Sequence, residues 1–189
     1  MRCVVGGGEV FEHVARLHGS RAAEALREYV PLYCAEPLEV YLMRAELMHA
    51  VERILKSGRF PYFAGFYAGR LRSDKPRFIP SHVLLDRLYK HIGHPVRAVK
   101  ISDAGIRAVL YGRDVLAESV VECFEPVEAG EVVSITGPDG YVYAVGLSKI
   151  SSCGEIGRLR EKDVVAKTIF DLGWYLRSGT VPREARYKV

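Results

Sequence analysis

The chain has 189 residues, 49% of them hydrophobic and 26% charged, and a formal net charge of +4 at pH 7. These values are typical of a folded protein with one large or two small domains. No apolar run is long enough to span a membrane, and no basic region followed by an apolar core opens the chain, so we expect neither a membrane span nor a secretory signal. The expected location is the cytoplasm, or the nucleolus if the source is eukaryotic.

The first half of the chain predicts a mixture of helices and strands. The glycine run from Gly6 to Gly8 is not followed by Gly-Lys-Ser/Thr, so residues 1–18 predict a flexible lead-in rather than a phosphate-binding loop. Pro31 is expected to stop the first helix. In chain order the patterns predict a helix at residues 20–29, strands at 32–34 and 38–42, an amphipathic helix at 44–57, strands at 62–71 and 78–79, and a helix from Pro80 or Ser81 to His91.

The segment Gly93–Pro95 ends that helix and marks the predicted domain boundary. Beyond it, Ser102 or Asp103 can cap a short helix that Gly112 ends. The pair Asp139-Gly140 predicts a tight hairpin turn, in which both central residues need positive φ. The other predicted elements are strands at residues 96–101, 115–116, 132–135, 141–145 and 163–171, and a last helical turn at 172–177.

This second half resembles the PUA domain, a small pseudo-barrel that binds RNA. The resemblance depends on the order of four features. They are a valine-rich strand into Ser102, a helix ending in Leu110-Tyr-Gly112, a Val115-Leu116 strand, and a strand from Gly130 that leads through Asp139-Gly140 to Ala144-Val-Gly146.

Two further motifs resemble the Nip-seven family of large-ribosomal-subunit biogenesis factors. They are Leu-Tyr-Gly-x-x-Val-Leu at residues 110–116 and Asp-Leu-Gly-x-Tyr-Leu-Arg at residues 171–177. The segments Tyr62–Leu71 and Arg77–Tyr89 extend the resemblance, which runs from about Leu32 to Arg177 and leaves residues 1–18 unmatched. It implies an α+β protein with an N-terminal α/β domain at 1–94, whose antiparallel sheet is flanked by helices and contacts partners, a C-terminal PUA pseudo-barrel at 95–178, and a tail at 179–189.

Two basic blocks flank an acidic segment. Residues 70–100 hold eight basic and two acidic residues, net +6, whereas residues 101–154 hold three and eight, net −5. Residues 155–189 hold eight basic and five acidic residues, net +3. Clustered cations favour nucleic-acid binding because each neutralised phosphate releases counterions, although a solvated charged face is the simpler interpretation of such runs.

The family resemblance places the RNA-facing cations of the PUA domain at Arg158, Arg160, Lys162 and Lys167, and Arg177 belongs to the same block. The alternation of Arg158, Arg160 and Lys162 predicts a strand or an extended loop that points its cations to one side. The first block supplies a secondary candidate face, for RNA or for an inter-domain contact. Its residues are Arg70, Arg72, Lys75, Arg77, Arg97 and Lys100.

Aromatic side chains can stack on unpaired bases, and three are candidates here: Tyr67, Tyr111 and Trp174. Tyr111 is the best of them because it lies at a helix end beside Gly112. Core packing is the alternative for each.

None of the four cysteines lies in a CxxC pair, so we do not expect a zinc site. An ordinary cytosol would keep all four as thiols. The chain contains no Asn and no Gln, amides that deamidate when hot, and this indicates a hyperthermophilic source unless a nucleotide-composition bias explains it. Hyperthermophile interiors can hold disulfides, so a bridge between Cys123 and Cys153 stays open.

Catalytic signatures are weak. His91 and His94 have metal-ligand spacing, but Gly93 lies between them and no Cys or carboxylate completes the set, so surface histidines are the simpler interpretation. There is no nucleophile elbow, Walker loop or dinucleotide fingerprint. We therefore expect no cofactor and no catalytic residue.

The sequence thus predicts a monomeric, non-enzymatic RNA-binding protein of ribosome biogenesis. The family resemblance implies binding to single-stranded or loop regions of pre-ribosomal RNA, support of large-subunit assembly and rRNA processing, and protein partners such as other assembly factors or the exosome. The alternatives are an RNA-modification enzyme or its RNA-targeting subunit, and an adaptor whose basic faces meet acidic proteins.

Overall fold

A computed structural model of the chain describes residues 3–34, 38–59, 64–74, 77–177 and 188. The chain divides into two units, residues 1–93 and residues 94–189. Each unit has its own sheet and its own buried core. No helix in the described part of the chain is long and apolar enough to cross a membrane.

The first unit is an antiparallel sheet flanked by helices. Its strands are β1 (Cys3–Val5), β2 (Tyr29–Cys34), β3 (Glu39–Arg44), β4 (Phe66–Leu71) and β5 (Phe78–Pro80), and they pair in that spatial order. Its helices are α1 (Glu9–His18), α2 (Ser20–Glu24), α3 (Met48–Lys56) and α4 (His82–Ile92).

Helices pack on both faces of this sheet because side chains along a strand alternate between the faces. On one face, Met43 of β3 and Val51 of α3 lie in the same buried cluster. On the other face, the hydroxyl of Tyr33 accepts a hydrogen bond of 3.4 Å from the amide of Val10 in α1. The N-terminal unit therefore has the three-layer arrangement that the α/β description predicts.

The prediction of a flexible lead-in at residues 1–18 is wrong, since these residues form β1 and α1. The apolar stripe Val10, Val14 and Leu17 has helical spacing and is buried. Two signals were weak: β1 has three residues, and Gly8 caps α1 without a side-chain hydrogen bond.

The first predicted helix is also too long, because α2 ends at Glu24 and Tyr29 already begins β2. Pro31 lies inside β2 instead of stopping a helix. Its carbonyl oxygen accepts a hydrogen bond from the amide of Gly6, just beyond the end of β1. A residue in an antiparallel strand turns its nitrogen and its carbonyl to the same side, so the missing N–H of Pro31 faces the place where β1 stops pairing.

The second unit is a six-stranded sheet curled into a half-barrel. Its strands are β6 (Ala98–Ile101), β7 (Val115–Leu116), β8 (Val120–Phe124), β9 (Val132–Thr136), β10 (Val142–Ser148) and β11 (Val164–Asp171). The spatial order is β7-β11-β10-β9-β6-β8, with β6 and β9 parallel. The helices are α5 (Asp103–Leu110) and α6 (Trp174–Arg177).

The helix α5 is fixed by the cap and the apolar face that the sequence predicts. The Ser102 hydroxyl accepts a hydrogen bond of 3.2 Å from the amide of Gly105, and Gly112 has φ 79° just past the helix end. Ile106 and Val109 enter the core of the half-barrel. The predicted α+β fold class is confirmed.

The hairpin between β9 and β10 exists, but its turn differs from the prediction. Among these residues Gly140, with φ 81°, has positive φ, and Asp139 does not. The amide of Gly140 donates to the carbonyl of Gly137, and the amide of Gly137 donates to the carbonyl of Tyr141, both at 3.0 Å. This pattern matches a type I turn followed by a left-handed glycine, the three-residue hairpin solution.

All four cysteines are paired. Cys3 of β1 bonds to Cys34 of β2, and Cys123 of β8 bonds to Cys153. The second bridge is the one that the sequence left open, and the first was not predicted. Some predicted features lie outside the described residues, namely the start of the 62–71 strand and, apart from Lys188, the tail at 179–189.

Candidate nucleic-acid interface

Three of the predicted RNA contacts lie on one loop between β10 and β11, residues 149–163, which we call the basic loop. It is neither a strand nor an extended loop throughout: Cys153–Arg158 is a 3₁₀ helix, and a turn follows in which the amide of Asp163 donates to the carbonyl of Arg160. The predicted alternation along a strand is therefore wrong. Arg158, Arg160 and Lys162 are nevertheless all exposed.

The cations of this loop differ in how far they are neutralised. Arg160 pairs with Asp163 at 3.2 Å. The backbone N–H of Arg160 and then its guanidinium hold the pKa of the Asp163 carboxyl below its usual range. Arg158 and Lys162 form no ion pair with any residue that the structure describes. They present uncompensated positive charge.

The turn of the basic loop is attached by its backbone to the segment after β7. The amide of Ala117 donates to the carbonyl of Asp163 at 2.9 Å, and the amide of Glu118 donates to the carbonyl of Glu161 at 3.0 Å. Lys162 lies between these two anchors. The attachment places the turn beside a cleft that Glu118 also lines.

The cleft has a volume of about 770 Å³ and runs along α5. Ala104, Gly105 and Ala108 line it with small side chains, and the exposed charged residues at its rim are Arg113 and Glu118. A Cβ at Gly105 would lie 2.8 Å from the Cβ of Ser119, so glycine is required for this close approach. The shape and the mixed charge of the rim suit an unstacked base with its phosphate.

Arg113 and Asp114 are fixed by β11. The Asp114 carboxylate accepts a hydrogen bond from the amide of Thr168, and the Thr168 hydroxyl donates to the carbonyl of Arg113, both at 2.9 Å. The side chain of Arg113 is left exposed, on a segment that neighbours the exposed Lys167. Neither cation is paired within the described part of the chain.

Tyr111 and Arg177 lie near the C-terminal end of α5. Tyr111 is 76% exposed, so the core-packing alternative does not apply to it. Arg177 donates two hydrogen bonds of 2.9 Å to the buried carboxylate of Asp171, and this ion pair largely neutralises its charge. Gly173 allows this arrangement, since a Cβ there would collide with the Leu110 carbonyl.

The other two aromatic candidates are half-buried and pack against tyrosines. Tyr67 contacts the ring of Tyr41 at 5.4 Å between centroids. Trp174 contacts Tyr175 at 5.3 Å. Tyr111 is therefore the aromatic candidate that the structure leaves accessible.

The secondary basic block does not form the exposed face that the sequence predicts. Arg70 is buried and donates to Glu39 from two nitrogens, at 2.8 and 3.1 Å, and Arg97 is buried and pairs with Glu128 at 3.3 Å. The carboxylates come from distant parts of the sequence, which a local charge count does not register.

The remaining members of that block are partly neutralised. Lys100 pairs with Glu122 at 2.6 Å, and Arg72 pairs with Asp74 at 2.8 Å. The hydrogen bonds from the Arg72 side chain are the main reason why the pKa of Asp74 is lowered. Arg77 is exposed, and Lys75 lies outside the described residues.

Residues 97–180 match the family model described as UPF0113 PUA domain. The second unit thus contains a PUA domain, and the chain is a PUA-domain protein. A curated Aeropyrum pernix protein named UPF0113 protein is 28% identical over 141 residues, which cover 75% of this chain and 70% of that protein.

Two solved structures resemble nearly the whole chain. A conserved PUA domain protein from Thermoplasma acidophilum matches with a TM-score of 0.60, and a hypothetical protein from Pyrococcus horikoshii matches with a TM-score of 0.67. Each is 14% identical, and each match covers 95% of this chain and 99% of the other. These likenesses extend the shared fold to the N-terminal unit.

Sequence reasoning missed the cleft and Arg113, although the Leu110–Leu116 motif was recognised. A usable signal was present. Ala104 and Ala108 are four residues apart, and Gly105 occupies a helix interior where glycine is costly. A glycine there indicates a close backbone approach.

Proposed function

We propose that this protein binds single-stranded RNA, or the loops of folded RNA, through its PUA domain. The observation that carries the proposal is a group of exposed cations that form no ion pair with any described residue. They lie on the cleft rim, the basic loop and β11, and are Arg113, Arg158, Lys162 and Lys167. Cations of this kind bind phosphates, and the exposed ring of Tyr111 supplies a stacking surface for a base.

The biological role that we propose is that of a ribosome biogenesis factor of the Nip-seven type. The motifs at Leu110–Leu116 and Asp171–Arg177 support it. In this role the protein, a cytoplasmic monomer, would bind pre-ribosomal RNA and support large-subunit assembly and rRNA processing. Its protein partners would be assembly factors or the exosome, and they would bind the N-terminal sheet.

A binding protein is proposed rather than an RNA-modification enzyme. Two observations support this choice: the Asp114 carboxylate of the cleft accepts the Thr168 amide, which suits a structural role, and Glu118 is exposed on the rim. Incubation with RNA followed by nucleoside analysis tests this choice. Unchanged nucleosides agree with a binding role, and a modified nucleoside would assign the protein to the alternative class.

The test of RNA binding is affinity as a function of salt. The variant Arg113→Ala/Arg158→Ala/Lys162→Ala/Lys167→Ala is compared with wild type on a fluorescein-labelled, uridine-rich single strand and on one of random sequence. Each phosphate that the variant no longer neutralises should reduce the slope of log K against log salt concentration by about 0.7, so the variant should lose most of its affinity at physiological salt.

A matched control removes four exposed cations from the first unit that lie outside both candidate faces, as Arg21→Ala/Arg53→Ala/Lys56→Ala/Arg59→Ala. The control has the same net charge as the test variant and should bind RNA nearly as well as wild type. Equal losses of affinity in the two variants would mean that net charge, rather than this surface, determines binding. A wild type that binds neither RNA would refute the proposed function.

A further inference from the structure

Both ends of the basic loop are attached to one segment, residues 117–125. The far-end contacts are the backbone hydrogen bonds from Ala117 and Glu118. At the near end, Cys153, the first residue of the 3₁₀ helix, is bonded to Cys123 of β8. The loop that carries Arg158, Arg160 and Lys162 is therefore cross-linked covalently at one end alone.

The side chain of Glu125 adds a noncovalent anchor at the same end. One carboxylate oxygen accepts a hydrogen bond of 2.6 Å from the amide of Cys153, and the other accepts one of 2.7 Å from the amide of Val127. Glu125 is exposed, so water competes for both bonds. The disulfide is the stronger of the two attachments.

The part of the loop between its anchors is held by short-range hydrogen bonds, such as the one from the amide of Leu159 to the carbonyl of Ile156. The 3₁₀ helix Cys153–Arg158 has six residues, a length at which this helix type is weak by itself. Ile156 and Leu159 are partly buried on the half-barrel core. The position of Arg158, at the end of this helix, therefore depends on the attachment of Cys153 at its start together with the packing of Ile156 and Leu159.

We propose that the Cys123–Cys153 disulfide is a positioning element of the RNA-binding surface, and that opening it weakens RNA binding. The bridge holds the start of the 3₁₀ helix so that Arg158 and Lys162 contact phosphates of the same strand. This inference rests on the proposed function, since it concerns the same surface.

A dithiol reagent opens the bridge by exchange. One thiolate of the reagent attacks a cysteine sulfur, breaks the S–S bond and releases the other cysteine as a thiolate. The second thiolate of the reagent then attacks the mixed disulfide and displaces the remaining cysteine thiolate. Two electrons pass to the cysteine pair, the two protons of the dithiol end on the cysteine thiols, and the reagent leaves as its cyclic disulfide. Cys123, Cys153 and Cys3 are half-buried, whereas Cys34 is fully buried, so the second-unit bridge offers two accessible sulfurs to the reagent and the first-unit bridge offers one.

The chain supplies a matched control for this experiment. The variant Cys123→Ser/Cys153→Ser removes the proposed positioning bridge, and Cys3→Ser/Cys34→Ser removes a bridge of nearly equal loop length, 31 residues of separation against 30, in the first unit. RNA affinity and its salt slope are measured on the fluorescein-labelled, uridine-rich strand, with amide hydrogen exchange over residues 149–163 as a second readout.

Removal of the second-unit bridge should weaken RNA binding about tenfold. The slope of log K against log salt concentration should become shallower by about 0.7 for each phosphate that is no longer neutralised. Amide hydrogen exchange in the basic loop should become faster. The control variant should bind as wild type does. If the Cys123→Ser/Cys153→Ser variant does not fold, the Cys3→Ser/Cys34→Ser variant, which keeps the second-unit bridge alone, is compared before and after treatment with dithiothreitol, and reoxidation should restore its affinity.

Three results would overturn the inference, and they are distinguishable. Wild type that binds RNA equally well with the bridge open or closed refutes the positioning role and leaves the proposed function in place. Oxidised wild type that binds no RNA refutes the proposed function itself, and the inference falls with it. Equal losses of affinity in the two serine variants would assign the effect to general destabilisation and would also refute it.

Discussion

The two basic stretches, residues 70–100 with net charge +6 and residues 158–167 with net charge +2, are both cationic in the sequence but differ in how the structure uses their cations. In the first, Arg70 and Arg97 are buried on carboxylates that are each 31 residues away along the chain. In the second stretch, the ion pair among the described residues is the local one between Arg160 and Asp163. All four cations of this stretch stay exposed.

The difference shows that a count of cations predicts solvent-facing charge poorly. A cation contributes to a binding surface when its partner is a phosphate of the ligand rather than a carboxylate of the same chain. The first stretch has the larger net charge, yet four of its cations pair with carboxylates of the chain: Arg70, Arg72, Arg97 and Lys100. The second stretch has fewer cations, but Arg158, Lys162 and Lys167 form no ion pair with any described residue and stay available for a ligand.

The largest expected effect is the loss of stability when the buried pair in the first stretch is broken. Arg70→Ala leaves the Glu39 carboxylate buried without this partner, so we expect the free energy of unfolding to fall by about 3–5 kcal/mol. Urea unfolding followed by far-UV circular dichroism measures the loss, and RNA affinity under native conditions should be unchanged.

Two further variants make that comparison sharper. Arg77→Ala, at an exposed position of the same stretch, should change the unfolding free energy by less than about 0.5 kcal/mol. The double variant Glu39→Leu/Arg70→Met should recover most of the loss, because an apolar pair of similar volume replaces both charges. A mild effect of Arg70→Ala combined with weaker RNA binding would return Arg70 to the candidate RNA surface.

A smaller effect is expected within the basic loop itself, where neighbouring cations differ in their partners. Lys162→Ala should reduce the salt slope of RNA binding by about 0.7, the value for one phosphate of a single strand. Arg160→Ala should reduce it less, because its guanidinium already contacts Asp163. Anisotropy titrations over a salt series compare the two, and a larger reduction for Arg160→Ala would show that the ion pair opens on binding.

Features set by a few neighbouring residues were predictable from the sequence. Ser102 and Gly112 define the ends of α5 through a cap and a left-handed residue, and both signals act within four residues. The alternating strands of the half-barrel, and hence the fold class, follow from patterns of the same short range.

Features set by distant partners were not predictable in this way. Pro31 is acceptable in β2 because β1 ends beside it, and the two helices α1 and α2 separate β1 from it in the chain. Burial of Arg70 depends on Glu39, and the position of the basic loop depends on Cys123. Each of these features depends on a contact between residues that are far apart in the chain, so a pattern within a few residues does not predict it.

The smallest expected effect concerns the pH response of the two Arg–Asp turns, one from each basic stretch. The pKa values of Asp74 and Asp163 are both lowered, the first mainly by the side chain of Arg72 and the second mainly by the backbone N–H of Arg160. A carboxyl with a lowered folded pKa contributes stability that is present above its ordinary pKa of 3.8 and is lost as the pH falls through the folded value.

Asp163→Asn tests this assignment in the basic loop. The amide oxygen of Asn can still accept the Arg160 N–H, but it carries no charge and does not titrate. Protection of the Arg160 amide from exchange should therefore fall with pH below 3.8 in wild type and stay constant in the variant. Asp74→Asn is the matched change in the first unit and should leave the Arg160 amide unaffected. A wild-type midpoint at or above 3.8 would mean that the turn does not hold the carboxylate, and the two stretches would then differ in this local pair as well.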